Sequence, residues 1–397
     1  MRNKKENLEE VLKFVKKNKD VAIYGAGKVG AGLYRDLKSL GIEIKYFIVT
    51  SGVGQKSEIE GCPILEIDKI PNLLDMGIII GVSLGKVSGI QRMLMNYGIT
   101  NYITLEQKYL DTILDEFNLP KMEITTVIGC AVNCKYCPQK LLTMKYWEKD
   151  KKRCKEMSLQ TFKSCIDKLP ANTQIYFAGM SEAFLNKDCI NMIQYAIERK
   201  YPVGVYTTGV GLCLADCEKL IEMPIESVII HVPDEENYAH IKVTEEYWLV
   251  IEKLLNAKKW DGSMFVDSGS CQGTPLKKFM DLNNGRIRIE SYLHDRAGNL
   301  DSHEAKLETC DFIDGEIYCY HSGERLDHNI LLPDGTVLLC CMDYGMKHSI
   351  GNLLESTYEE IMNGKELDFI RKSLKVVNDS TRTLLCRNCT YAIKYKN

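Results

Sequence analysis

The chain has 397 residues, 16 of them cysteine, and sets 51 Lys and Arg against 54 Asp and Glu for a net charge of −3. That balance supplies no field for nucleic acid or an anionic membrane, and a hydrophobic content of 45% belongs to a folded globular protein. About 4% Cys is below the roughly 8–10% of a disulfide scaffold, the charged start lacks the apolar core of a secretory signal, and the longest apolar stretches (76–82 and 228–232) are far short of the ~20 residues of a membrane span.

The expectation is therefore a cytoplasmic protein of two or three domains, with reduced thiols open to metal or redox chemistry. Residues 4–17 form a charged amphipathic helix with Leu8, Val11, Leu12 and Val15 on one face. A short apolar strand at 20–24 runs into Gly25-Ala26-Gly27-Lys28-Val29-Gly30, and a helix follows to Leu40. Further strands at 44–49, 77–82 and 101–105, with a helix at 86–97, complete a Rossmann-like doubly wound sheet over residues 1–119. The G-x-G-x-x-G turn sits in a dinucleotide context. The second strand, however, ends Phe47-Ile48-Val49-Thr50 without the acidic residue that binds a ribose hydroxyl, which argues against NAD.

Leu119-Pro120 marks a boundary. Strands are predicted at 123–127, 174–177, 203–206, 227–232, 263–266 and 286–291, with helices at 159–169, 188–200 and 245–257 between them. Six such units over 120–300 imply a parallel sheet or partial (β/α)6 barrel with its chemistry at the C-terminal strand ends. From residue 301 to 397 the spacing turns irregular, cysteines cluster, and one clear helix appears at 357–363.

The strongest chemical signal is Cys130, Cys134 and Cys137, a C-x3-C-x2-C run directly after the first strand of the second series. Three close thiolates bind three irons of a [4Fe–4S] cluster and leave the fourth iron without a protein ligand. Zinc would require a fourth Cys or His at short spacing, and none is adjacent. A second constellation combines Cys319, Cys340 and the pair Cys386 and Cys389, with a hairpin turn at Pro333-Asp334-Gly335 bringing Cys319 and Cys340 together. Four thiolates fit zinc or a fully ligated iron–sulfur cluster, and Cys341 replaces Cys340 if the register slips by one. Of the other nine cysteines, Cys271, in the Gly269–Gly273 loop, is the one to watch, as a hydrogen-atom donor.

Placed after the first strand of a partial barrel, the three-cysteine run resembles the radical S-adenosylmethionine (SAM) superfamily, and the landmarks from Met122 to Leu300 follow in order. Tyr136 stands where that family has an aromatic residue near the adenine. Gly179-Met180-Ser181-Glu182 is similar to the Gly-x-Gly-Glu-Pro stretch that binds the methionine amino group, with Ser181 for the second Gly and Ala183 for Pro. Thr207-Thr208-Gly209 resembles Thr-Asn-Gly, and Arg296-Ala297-Gly298 an Arg-Ala-Gly segment of members with an auxiliary cluster. Residues 301–397 are similar to the SPASM/twitch extension, in the shorter form with one auxiliary [4Fe–4S] cluster, because the cysteines of a second cluster are missing.

The resemblance implies an enzyme that reductively cleaves SAM at a [4Fe–4S] cluster with an open iron and uses the 5′-deoxyadenosyl radical to abstract a substrate hydrogen. It implies an electron donor such as flavodoxin or ferredoxin. Oxidation or epimerisation of a small polar substrate, for example a nucleotide-linked sugar, is the expected outcome. Modification of a ribosomal peptide is the alternative within the family, and a non-catalytic zinc-stabilised binding protein the alternative outside it.

Overall fold

The computed structural model describes residues 8–50, 57–82, 84–106, 109–110, 113, 119–149, 154–291, 294–300, 309–376 and 384–394. They form two compact units, Met1–Asn118 and Leu119–Asn397.

In the first unit β1 (Val21–Tyr24), β2 (Tyr46–Val49), β3 (Glu58–Ile59), β4 (Cys62–Glu66), β5 (Gly77–Ile80) and β6 (Tyr102–Thr104) make one sheet in the order β3-β4-β2-β1-β5-β6. Only the β3–β4 pair is antiparallel. Alternate residues serve opposite faces, because side chains alternate along a strand. Val21 and Ile23 of β1 join one apolar cluster, while Ala22 and Tyr24 join the other. A strand buried on both faces reads as a continuous apolar run, as Val21–Tyr24 does. Gly30 is needed for close approach, since a Cβ there would lie 1.9 Å from the Gly25 carbonyl oxygen. The β3–β4 hairpin is not predicted from the sequence; its strands are short and carry Glu58, Pro63 and Glu66.

The second unit is built on β7 (Lys121–Ile124), β8 (Gln174–Phe177), β9 (Val203–Thr207), β10 (Ser227–His231), β11 (Ser268–Ser270) and β12 (Arg288–Glu290), which pair in parallel and in sequence. Helices Gln139–Lys149, Leu159–Ile166, Cys189–Glu198, Leu214–Ile221, Glu245–Asn256 and Lys277–Asn283 lie between them. The fifth strand falls at Ser268–Ser270 and not at 263–266. Phe265 and Val266 are buried, but in the segment before the strand. The Ser-Gly-Ser strand has no pattern of its own, and its register is set by β10 and β12 on either side.

The chain beyond residue 309 does not stand apart from this sheet. After β13 (Ile317–Cys319), strand β14 (His328–Leu331) pairs in parallel with β7, placing His328 opposite Lys121 and Ile330 opposite Glu123. β15 (Thr336–Leu338) and β16 (Ser349–Asn352) continue antiparallel, so nine strands run β12-β11-β10-β9-β8-β7-β14-β15-β16. The β14–β15 turn closes at Gly335, whose N–H donates to Leu332 O at 3.0 Å. β17 (Ala392–Lys394) returns to pair antiparallel with β13. A helix at Lys365–Lys375, which the sequence reading lacks, follows the capping-box helix Tyr358–Met362. No helix among the described residues is long and apolar enough to cross a membrane.

Candidate active site

The C-terminal ends of β7 to β10 open onto a cavity of about 350 Å³. Cys130, Cys134 and Cys137 all line it, with Tyr136, Gly179, Ser181, Glu182, Thr208 and Arg296. The three-cysteine loop is held by a residue the motif does not advertise. Gln139, buried at the start of its helix, accepts from Cys130 N at 3.2 Å, donates to Cys137 Sγ at 3.4 Å and to the Met180 carbonyl. One amide thus ties both ends of the loop to the β8 loop. Gln139→Ala is expected to cost about 1–3 kcal/mol through the polar groups left unpaired and to lower iron retention, measured by denaturant unfolding and iron assay.

Gly179 brings the β8 loop against β7. It has φ +55, and a Cβ would sit 2.5 Å from Thr125 Oγ1 and 2.9 Å from Thr125 N. The close approach lets Met180 N donate to Thr125 Oγ1 at 3.0 Å. Gly179→Ala is expected to destabilise by about 1–3 kcal/mol, read as a lowered Tm.

Glu182 accepts from Thr207 Oγ1 (2.8 Å), Thr208 N and Oγ1 (both 2.6 Å) and Phe184 N (3.3 Å). Burial pushes its carboxyl up, and these bonds pull against that shift. Its carboxylate therefore braces the ends of β8 and β9, and Thr208 is engaged in the same brace. Among the cavity-lining residues, Ser181 Oγ and Arg296 Nε are buried without a hydrogen-bond partner, as are His321 Nε2 and His328 Nδ1. Arg296 has φ +53, and its guanidinium lies 5.9 Å from the centre of the Tyr344 ring. The Tyr344 hydroxyl accepts from the Cys137 thiol at 3.5 Å. Burial raises the Cys130 thiol and pushes Cys134 up to about 12, so closely set thiolates here require a cation. Three thiols at one cavity with orphaned polar atoms beside them fit a three-thiolate cluster and a polar ligand next to it.

Cys271 does not join this group. It is buried in the apolar core, its N–H bonds to Glu290 O at 2.9 Å, burial pushes the thiol up to about 11, and it is not among the cavity-lining residues. Its loop position suggests a hydrogen donor, but its side chain is absorbed by packing. The thiol that lines the cavity beside Cys130, Cys134 and Cys137 is Cys341.

The second constellation is assembled by β-pairing. Cys319 lies opposite Ala392, whose N–H returns to Cys389 O at 2.9 Å, and Cys340 follows β15. Burial, then the neighbouring thiols, pushes Cys340 and Cys386 well above the ordinary range, and Cys389 up to about 12. The proximity of Cys319, Cys340, Cys386 and Cys389 fits a fully ligated metal centre. Arg387, between the last two thiols, is buried and donates to the carbonyls of Ile313 (3.1 Å), Gly315, Ser373 (2.7 Å) and Val376 (2.7 Å). Nothing in the C-x2-C spacing signals this pin. Arg387→Ala is expected to cost about 3 kcal/mol or more and to weaken metal retention at these thiols, checked by unfolding and by metal content.

Each of three auxiliary thiols has a near neighbour in the cavity wall. His321 follows Cys319 by two residues, Cys341 follows Cys340, and Tyr391 follows Cys389 by two. The auxiliary site therefore lies immediately behind the wall.

The family model for SPASM, an iron–sulfur cluster-binding domain, matches residues 319–390. No curated relative matches the chain. Among solved structures, BtrN in complex with AdoMet and 2-DOIA is similar at 18% identity, over 65% of this chain and 87% of that one, with a TM-score of 0.43. Native anSMEcpe with bound AdoMet is 14% identical over 64% and 84%, with a TM-score of 0.39. Streptococcus suis SuiB bound to precursor peptide SuiA is 11% identical over 77% and 82%, also at 0.39.

Proposed function

We propose that this chain, a radical SAM enzyme with a C-terminal SPASM region, oxidises a secondary alcohol of a small polar substrate by two electrons. When bound, SAM at a cluster held by Cys130, Cys134 and Cys137 would supply hydrogen-atom abstraction, and a [4Fe–4S] cluster held by Cys319, Cys340, Cys386 and Cys389 would supply an electron acceptor. The observation that carries the oxidative reading is the shared wall, in which His321, Cys341 and Tyr391 face the cavity within two residues of the auxiliary thiols. A carbinol that has lost its hydrogen atom becomes a carbonyl by losing one further electron and its hydroxyl proton. An acceptor one wall away makes that route short.

The chain's own residues bind and orient. Tyr176, Tyr206 and His231 line the cavity. Burial, with the Arg296 charge beside it, pushes His231 down to about 4, so its ring is neutral near pH 7. Its Nδ1 lies 2.5 Å from Ser270 Oγ, which leaves the other nitrogen for a substrate hydroxyl. A lining of tyrosines and imidazoles suits a polyhydroxylated molecule, and the Rossmann-like unit favours one carried on a nucleotide.

The test is turnover in deuterated water with nucleotide-linked sugars and an added flavodoxin or ferredoxin. A product two electrons more oxidised, with no deuterium at the reacting carbon, is expected. Solvent deuterium in an isomer of unchanged oxidation state would replace this reading with epimerisation.

A further inference from the structure

The cavity also holds a set of side chains that neither cluster uses. A Glu123 carboxylate oxygen, a His321 ring nitrogen and the Cys341 thiol lie within 4.8 Å of one another, and all three residues line the cavity. They come from separate parts of the chain: β7, the segment after β13 and the segment after β15. The His321 ring is fixed by stacking between His328, 4.1 Å away at 22°, and Tyr391, 4.5 Å away at 7°. Its Nε2 is shut off from solvent with no hydrogen-bond partner. A buried polar atom left unpaired costs about 1–3 kcal/mol, and a ligand is a standard reason for its retention. Glu123 in turn accepts from His328 Nε2 at 2.7 Å, the kind of outer contact that orients a ligating carboxylate.

We propose that Glu123, His321 and Cys341 form a mononuclear divalent transition-metal site, zinc in the first instance, whose open position faces the substrate cavity. Carboxylate, imidazole and thiolate are the donor types zinc takes, and two negative ligands balance its charge. Tetrahedral zinc ligands stand about 3.3–3.7 Å apart, so side chains already within 4.8 Å of one another need close by no more than about 1.5 Å, within the reach of small rotations. Three protein ligands and one free position is the pattern of catalytic zinc, not structural zinc. The free position takes an oxygen of the substrate. On the oxidative reading it also eases loss of the hydroxyl proton. That consequence rests on the reaction proposed above, whereas the site itself does not.

The test uses the full chain with both clusters reconstituted anaerobically, then exposed to Zn²⁺ and desalted. Retention of about one zinc per chain is expected, with zinc-edge X-ray absorption showing one sulfur at about 2.3 Å and the other ligands nitrogen or oxygen at about 2.0–2.2 Å. Glu123→Ala and His321→Ala should each weaken zinc retention at least about tenfold with iron and sulfide unchanged. Cys341→Ser should remove the sulfur contact and spare the iron. No retained zinc, zinc bound by four sulfurs, undiminished zinc in the alanine variants, or iron lost with Cys341→Ser would each overturn the site. The sulfur count on the unsubstituted protein decides the point without any variant, and none of these readouts depends on turnover.

Discussion

Replacing Cys130 by alanine is expected to bring 5′-deoxyadenosine formation down to background, a loss of more than about 10³-fold or some 4 kcal/mol of transition-state stabilisation. Cys130, Cys134 and Cys137 line the cavity, and on the reading proposed above the cluster they would hold keeps one iron free for SAM and has no protein ligand to spare. Cys130 also accepts the Glu182 N–H at 3.4 Å, so its loss removes one of the bonds that hold the loop to the β8 end. Iron should fall from about eight to about four per chain, with the auxiliary centre retained. The measurements are anaerobic reconstitution, iron and sulfide analysis, and chromatographic assay of deoxyadenosine. Cleavage surviving the substitution would remove the central assignment.

Cys386→Ala should produce the complementary result. Iron again falls to about four, but SAM cleavage persists while the oxidised product disappears, by at least about a hundredfold or 2.7 kcal/mol. The separation follows from position: Cys386 belongs with Cys319, Cys340 and Cys389 behind the cavity wall and does not line the cavity. Because it is buried at the end of the chain's return to β13, the substitution also lowers Tm. Unchanged iron together with a zinc signal that vanishes would identify the auxiliary centre as zinc and exclude it as the electron acceptor.

The elements that sequence reading finds are those whose signal is local. The Gln174–Phe177 strand falls where apolar alternation places it, and the three cysteines after β7 stand out by spacing alone. What it misses is set by neighbours. Ser268–Ser270 becomes a strand through pairing on both sides. The β7–β14 ladder joins segments whose separation no periodicity reveals. Gln139 and Arg387 matter through backbone atoms they reach across the fold, and a lone Gln or Arg carries no mark of that in sequence. The Cys271 hypothesis fails to reach the cavity for the same reason: loop position is legible, but side-chain direction is not. Cys341 reads as a spare for Cys340, yet it is the one of the two that lines the cavity.

The pairing of β14 with β7 has a consequence for how the protein comes into being. Glu123 and His328, which close the ladder with a hydrogen bond, are 205 residues apart. A chain leaving the ribosome presents the Cys130 loop long before the strand that flanks it has been made, at ~5–20 residues per second. For those seconds β7 is an open edge, able to pair with another chain. Iron delivered then would meet three thiols not yet fixed by their surroundings. Topology therefore sets an order: β7 is covered on both edges only after β14 has been made and has docked.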